Sequence, residues 1–583
     1  MQLRATIKDT DLKTILLRLD NREQNIVALK SVTDNGWGNI LAWNPVAIIQ
    51  YSAASMVKNI SELEAFTDEQ QALNRHVIGY LSYDFGCQIH NIELNTLDDL
   101  QIPKLFVAAF DNFITFSDAG AEINTSNEKY IDEVRAIINR PIRDQSKKVY
   151  EKELTTTLSR RDYGTAFKKL KKYIQAGDVY QVNLTHRLEG TTKLSGQELF
   201  CTLSEPSEAD FQAYISNKNF EVLSFSPERF VSIKDHDIKT SPIKGTRPRG
   251  LNKDEDKALK KDLIDNSKDK AELNMITDLM RNDLGAICEV GSVKITDNRV
   301  ISGYPTLWHT HTTIEGRLVP EMRPIIALAN LMPGGSITGC PKKSAIEIID
   351  ELEEKRRNIY TGSIFMINPD GELDSNVAIR TILKKSDQIF LSVGGGIVND
   401  SDENEEYKES LDKAASFMML VNKNKYLSSD ILEKQFGPTN IEILYQDQLS
   451  RISCTRSTMS GRALELSQVT FNADGVNQFS NVHKDIANGM SIGKAFRAEK
   501  IEFMRETQST FKCDLPFNFS KWFDVTDNAI VVNVSIIVGS EKILYANIVE
   551  TYISGVKWSD SYELPSKKLP QSVQNFNRLL GTI

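Results

Sequence analysis

Cysteine is scarce in this chain: six in 583 residues, at 87, 201, 288, 340, 454 and 513. No two stand at CxxC or related spacing, which argues against a structural zinc site and a disulfide framework and for reduced core or loop thiols. No apolar run approaches the ~20 residues of a membrane span. The N-terminus, MQLRATIKDTDLK, carries charge where a signal peptide needs its apolar stretch, so a cytoplasmic location is expected. Clustered Lys/Arg is missing too. With 70 basic against 79 acidic residues, the net charge of −9 is spread along the chain, which argues against a nucleic-acid or anionic-membrane binder. What remains, 40% hydrophobic and 26% charged, is the composition of an ordinary globular protein.

Four textures follow one another. Residues 1–145 hold strand-like segments (Asn39–Trp43, Ala47–Tyr51, Val77–Tyr83, Leu105–Phe110) among polar loops. In residues 146–425 helices alternate with short strands; the first, RRDYGTAFKKLKKYIQAGD, repeats apolar residues at helical spacing and stops at Gly177. A polar run ending in Gly-Pro marks a linker over 426–440. Residues 441–583 read as a smaller antiparallel-sheet region with a turn at Gly539–Ser540.

Several segments carry side chains suited to chemistry. SFSPERF and KTSPIKGTRPRG each read as a strand running into a Pro/Gly turn, presenting Glu228 and, sixteen positions later, Lys244. A turn lysine is usually a solvated group; an acid and an amine on two such turns is a stronger hint. Asp269 and Glu272, like Glu406 and Glu409, stand three apart and so share a helix face. Two such helices brought together would offer carboxylates to Mg²⁺, though such pairs are also common on solvated helices. His309 and His311 form an HxH on one strand face without further zinc ligands, which favours a single working histidine. LMPGGSITGCPKK carries a Gly-Gly turn and IFLSVGGGIVND reads as a strand running into three glycines, and the backbone N–H groups of both suit an anion. Neither matches GxxxxGK[ST] or GxGxxG, so carboxylate is preferred to phosphate. Arg380 either grips that carboxylate through two parallel bonds or forms a structural ion pair.

In this order, HVIGYLSYDFG, AGDVYQVNLTHRL, FSPERF, KTSPIKGTRPRG, ELNMITDLMRNDLG, PGGSITGCPKKSAIEIIDELE, RRNIYTGSI, DSNVAIRT, VGGGIVNDS and EEYKES resemble the chorismate-utilising enzyme family. The resemblance covers about 70–420 and implies an α+β fold of antiparallel β-sheets packed with helices, followed here by a small α+β antiparallel-sheet domain. It implies Mg²⁺-dependent replacement at a chorismate ring carbon, with Glu272 and Glu409 as metal ligands and Asp269 and Glu406 supporting them through water. Asp269 departs from the Glu expected there. Tyr360, Arg380, Thr338, Lys342 and the backbone of Gly394, Gly395 and Gly396 would hold substrate carboxylates, and His309 falls where the family keeps its active-site histidine.

Within the family, Lys in the PIKGT turn resembles the branch that aminates chorismate at C4 on the way to 4-aminobenzoate and folate, whereas anthranilate-forming relatives carry Ala. A Lys244 amine would attack C2 and Glu228 would protonate the departing C4 hydroxyl. Without a GxCxG turn or a glutaminase-sized segment, ammonia would come from a separate glutamine amidotransferase subunit. Beyond residue 440, NGMSIGKAFRAEKIEFMRE and VVNVSIIVGSEKILYANIVETYISG resemble the chorismate–pyruvate lyase family, with Glu550 and Arg505 nearest its working residues. That leaves two expectations for the region: pyruvate elimination, or a non-catalytic domain. Lys484, in HKDIANG, is a weak candidate for a pyridoxal-phosphate lysine.

Overall fold

The structure is a computed structural model. It describes residues 3–421 apart from 9, 21, 52–55, 118–119, 143–149, 206, 208, 250–252 and 304–306, and then the strands 441–446, 449–458, 463–472, 502–505, 529–538, 541–552 and 556–559. The expected linker 426–440 and Lys484 lie outside the described residues. The chain divides into two compact units. One comprises Met1–Arg247, Asp262–Tyr304 and Trp308–Val421; the other includes 248–261, 305–307 and the strands beyond 440.

The larger unit is built on a twelve-stranded antiparallel sheet and a ten-stranded sheet. Local sequence explains its elements. Ser159 caps the helix Arg160–Ala176 by accepting from Asp162 N–H, and Gly177, at φ 84°, ends it in the left-handed conformation that glycine adopts without strain. The expected strand Ala47–Tyr51 appears with those bounds, as does Leu105–Phe110. Apolar residues between the layers form separate cores, one under Trp43, Phe200, Tyr214 and Phe225, another around Phe85, Phe230, Ile276 and Phe365. Burying such side chains contributes about 1.5–3 kcal/mol each.

Two features of this frame position the candidate residues. The strand Gln388–Ile397 runs between Thr381–Lys385 and Gln181–Thr192, but its pairing with Thr381–Lys385 ends at Leu391. The helix Glu403–Val421 follows five residues after it. On the other sheet, strand Ile243–Pro248 neighbours Leu307–Arg317, which carries both histidines.

The second unit holds a seven-stranded sheet. Ala529–Val538 and Glu541–Tyr552 pair as the expected hairpin, while Ile441–Gln446 runs parallel to Ala529–Val538, so the sheet is mixed rather than wholly antiparallel. Arg505 lies on an edge strand and Glu550 on the strand next to the opposite edge.

Candidate active site

Ser226 ends one strand and Arg229 begins the next, so Pro227 and Glu228 form the connection. Ser226 Oγ accepts from Glu228 N–H at 3.2 Å and Glu228 C=O accepts from Val377 N–H at 3.0 Å, fixing the backbone. The carboxyl accepts from Ile243 N–H, immediately before Lys244. Protein atoms surround Glu228, yet it keeps some solvent-accessible surface. Burial pushes its pKa up to about 7 against the opposing pull of Lys244, Arg380 and the Ile243 amide. A carboxyl at that value is half protonated near neutrality, suited to giving and taking a proton.

Arg380 precedes strand Thr381–Lys385 in a left-handed conformation, φ 50°, and its C=O accepts from Phe225 N–H at 3.0 Å. That strained geometry for a side-chain-bearing residue turns it out of the strand path. Its guanidinium is surrounded by protein, which lowers its pKa, with Glu228 opposing. Among the described residues it makes no ion pair within 4 Å, so of the two expectations for Arg380 the structural ion pair finds no partner here. The side chain also keeps solvent-exposed surface, so its open donors are accessible to an anion.

His309 stands close enough to Arg380 to feel its charge. Burial, Arg380 and His311 together lower its pKa to about 4, so it is a neutral imidazole at physiological pH. Its Nδ1 lies 2.8 Å from Thr246 Oγ1. Glu228, Lys244, Arg380 and His309 are therefore brought to one place.

The glycine strand makes a second wall. Asn183 and Thr185 turn their N–H groups away from it, to Thr338 C=O at 2.8 Å and Glu353 Oε1 at 3.1 Å. Their register partners Gly396 and Gly394 are then in non-hydrogen-bonded pairs and direct their N–H groups to the opposite edge, where no strand is paired beyond Leu391. A Cβ on Gly394 would meet Leu184 C=O at 2.4 Å. One on Gly396 would lie 3.0 Å from Gln181 Nε2, a buried donor with no hydrogen-bond partner among the described residues. Asn183 joins this strand to Thr338 through its backbone and to Tyr360 through its side chain. Burial raises the Tyr360 phenol to about 12, keeping it a neutral donor. Thr338 is fully buried and donates its hydroxyl to Gly334 C=O at 2.9 Å.

The carboxylates expected to serve a metal lie in two groups. Glu406 is buried and accepts from Ser401 Oγ at 2.6 Å; a Cβ on Gly395 would lie 3.3 Å from its Oε2. Glu409 Oε1 is 2.8 Å from Lys413 Nζ, which also donates to Gly394 C=O at 2.9 Å. On the other helix Asp269 Oδ2 is 3.0 Å from Arg247 Nη2, and Glu272 is half-buried one turn on. Among the described residues no three His, Cys, Asp or Glu side chains are grouped closely enough to ligate a metal. The donor chemistry nonetheless fits Mg²⁺, which takes one or two protein carboxylates and keeps its waters. Lys342 is placed differently from the other candidates: its Nζ pairs with Asp283 at 2.8 Å and donates to Leu331 C=O at 3.3 Å.

Comparison with known proteins decides the family. A profile of the chorismate binding enzyme family matches residues 24–419. The chain belongs to that family. Aminodeoxychorismate synthase component 1 of Klebsiella aerogenes is 33% identical over 403 residues, covering 67% of this chain and 89% of the relative. The protein of that name from Escherichia coli (strain K12) is 33% identical over 371 residues, 64% and 81% of the two chains. Anthranilate synthase component 1 1 of Haloarcula marismortui is 33% identical over 367 residues, 59% and 75%. Among solved structures, anthranilate synthase component I from Streptococcus pneumoniae matches with TM-score 0.58 at 22% identity, covering 71% of this chain and 99% of that one. At that identity it establishes the shared α+β fold. No helix among the described residues is long and apolar enough to cross a membrane.

Gln181, Asn183, Thr246, Arg247 and Lys413 emerge only from the three-dimensional arrangement. Lys413 had a local signal, four residues beyond Glu409; Gln181 had none, since a strand glutamine looks like any other polar position.

Proposed function

We propose that the chain is an aminodeoxychorismate synthase component I. It converts chorismate and ammonia to 4-amino-4-deoxychorismate for 4-aminobenzoate and folate synthesis, with ammonia released from glutamine by a separate amidotransferase subunit. The observation that carries the proposal is the Glu228 carboxyl, its pKa pushed up to about 7 by burial, beside Lys244 and an accessible Arg380 without an ion-pair partner among the described residues.

The chemistry follows from those positions. The Lys244 amine forms a bond to C2 as both conjugated ring double bonds shift and the C4–O bond breaks. Glu228 gives its proton to the departing oxygen, which leaves as water. Ammonia then bonds to C4, both double bonds return, and the C2–N bond breaks to release Lys244. Glu228, now a carboxylate, takes the proton that the new amine sheds. Arg380 and the outward N–H groups of Gly394 and Gly396 suit the substrate's carboxylates, with Tyr360 donating beside them. His309, neutral and held by Thr246, supplies a hydrogen bond rather than charge. Mg²⁺, when bound, would offset carboxylate charge, with Glu272 and Glu409 as the residues to hold it and Glu406 behind them.

Two finer readings are tested by the same experiment. Anthranilate synthases are similar to this chain at comparable identity, so a 2-amino product is the competing outcome. Pyruvate elimination by the C-terminal unit is proposed from its sequence; no pairing joins the strands of Arg505 and Glu550. Purified protein given chorismate, ammonium and Mg²⁺ should yield the 4-amino compound. Accumulation of that compound rules out the lyase, whereas 4-aminobenzoate supports it.

A further inference from the structure

The strand bearing Lys244 has two faces, because side chains alternate along it. Lys244 and Thr246 share the face that meets Glu228 and His309. Gly245 and Arg247 belong to the other face, and this face rests on the helix Ser267–Gly285 that carries Glu272. Gly245 has φ 81°, and a Cβ there would lie 3.1 Å from the Asp269 carboxyl carbon, so backbone and carboxyl are in close contact. Beside it, the Arg247 guanidinium makes three contacts. Nε donates to Asp262 Oδ2 at 2.5 Å and Nη1 to Thr246 C=O at 2.9 Å, while Nη2 stands 3.0 Å from Asp269 Oδ2 in an ion pair without hydrogen-bond geometry. The arginine is only 17% exposed and Asp269 20%, so solvent screens the pair weakly. Thr246, gripped at its carbonyl, holds His309 through its hydroxyl.

From this we infer that Arg247 and Asp269 form one positioning device for Lys244 and His309, and that Asp269 anchors the lysine strand instead of supporting a metal through water. The short Asp side chain suits the role: its carboxyl stops against Gly245, within reach of Arg247, where a Glu would carry the charge one bond further. The inference rests on the proposed lysine mechanism and gives a function to the one position where the metal pattern expected from sequence is not met.

The test uses the full chain carrying Arg247→Gln, Asp269→Asn and both together, with three readouts: steady-state amination, Mg²⁺ binding by calorimetry with the metal alone, and melting temperature. Each single variant should lose ten- to a hundredfold in kcat, with chorismate KM and Mg²⁺ affinity within threefold of wild type. The double variant should be no worse than the weaker single, because the two residues act as a unit. Mg²⁺ binding weakened tenfold or more by Asp269→Asn, but not by Arg247→Gln, would return Asp269 to the metal. Losses that multiply, or an unchanged kcat, would overturn the device. If these variants fail to fold, Arg247→Lys replaces them: one ammonium cannot serve Asp262, Asp269 and the Thr246 carbonyl in the fork geometry, so a three- to tenfold kcat loss without a Mg²⁺ effect is expected, and wild-type kcat refutes the inference. Failure of the wild type itself to aminate chorismate would instead count against the functional reading.

Discussion

Replacing Glu228 by Gln should stabilise the protein at alkaline pH while disabling it. Burial raises this carboxyl from an ordinary 4.5 to about 7. Between those values the folded chain keeps a proton that the unfolded chain has released. Stability therefore falls as pH rises through the window, and the penalty is complete above about pH 7. A shift of that size corresponds to about 3 kcal/mol, and to about 1–3 kcal/mol once the residue's partial solvent exposure is allowed for. Gln carries no charge to desolvate, so the variant escapes the penalty. With an unfolding entropy near 2.1 cal/mol/K per residue, a unit of roughly 400 residues shifts by about 1 °C per kcal/mol. Calorimetric melting at pH 5 and pH 8 should thus show the difference, variant minus wild type, growing by about 1–3 °C at the higher pH. Turnover should fall by about 10²–10⁴, the usual contribution of a general acid–base group. An equal difference at both pH values, or one that shrinks, would refute the buried, half-protonated carboxyl on which the mechanism depends.

Other consequences follow from the same geometry. Lys244 and Arg380 both hold the Glu228 pKa down, so Lys244→Met should move the carboxyl's titration, followed by infrared or NMR, upward from about 7; a downward move contradicts their proximity. Because His309 is already neutral well below physiological pH, His309→Ala should lower kcat yet keep the inflection of kcat near pH 7, whereas its loss would assign that inflection to the histidine. Arg380→Lys gives up the parallel pair of bonds to a carboxylate and should raise the chorismate KM by about tenfold or more, at about 1.5–3 kcal/mol for a charged hydrogen bond; an unchanged KM places the substrate elsewhere. Glu272→Gln and Glu409→Gln should each raise the Mg²⁺ concentration needed for half-maximal binding at least tenfold, and binding at the wild-type concentration would remove those residues from the metal site.

The parts of this protein that could be read from sequence were those governed by local rules. Ser159 and Gly177 delimit one helix through capping and a left-handed terminus, and the strand-like segment Ala47–Tyr51, set among polar loops, appears with its expected bounds. The Glu228–Lys244 pairing was visible from their Pro/Gly-rich segments, although only Glu228 sits in a connection; Lys244 lies within the strand Ile243–Pro248 rather than in the expected turn. Burial was not visible, and it is burial that takes Glu228 to about 7. The resemblance gave Lys342 and Arg380 the same carboxylate-holding role, yet Lys342 is paired with Asp283, 59 positions away, and Arg380 has no partner among the described residues. The glycine run reads in sequence as the end of a strand with open backbone N–H groups; the strand continues through it to Ile397, and those amides are open because the pairing with Thr381–Lys385 ends at Leu391. The Arg247–Asp269 contact depends on which face of a strand rests on which helix, a tertiary choice that no local pattern encodes.

The central claim is that Lys244 directs nitrogen to C4 of chorismate. Incubating wild type and Lys244→Ala with chorismate, ¹⁵N-ammonium and Mg²⁺, then separating products by chromatography and mass spectrometry, tests it directly. The account predicts ¹⁵N-labelled 4-amino-4-deoxychorismate, or 4-aminobenzoate derived from it, from the wild type and none from Lys244→Ala. A labelled 2-amino product, an unlabelled hydroxylated product, or undiminished 4-amination by Lys244→Ala would contradict it.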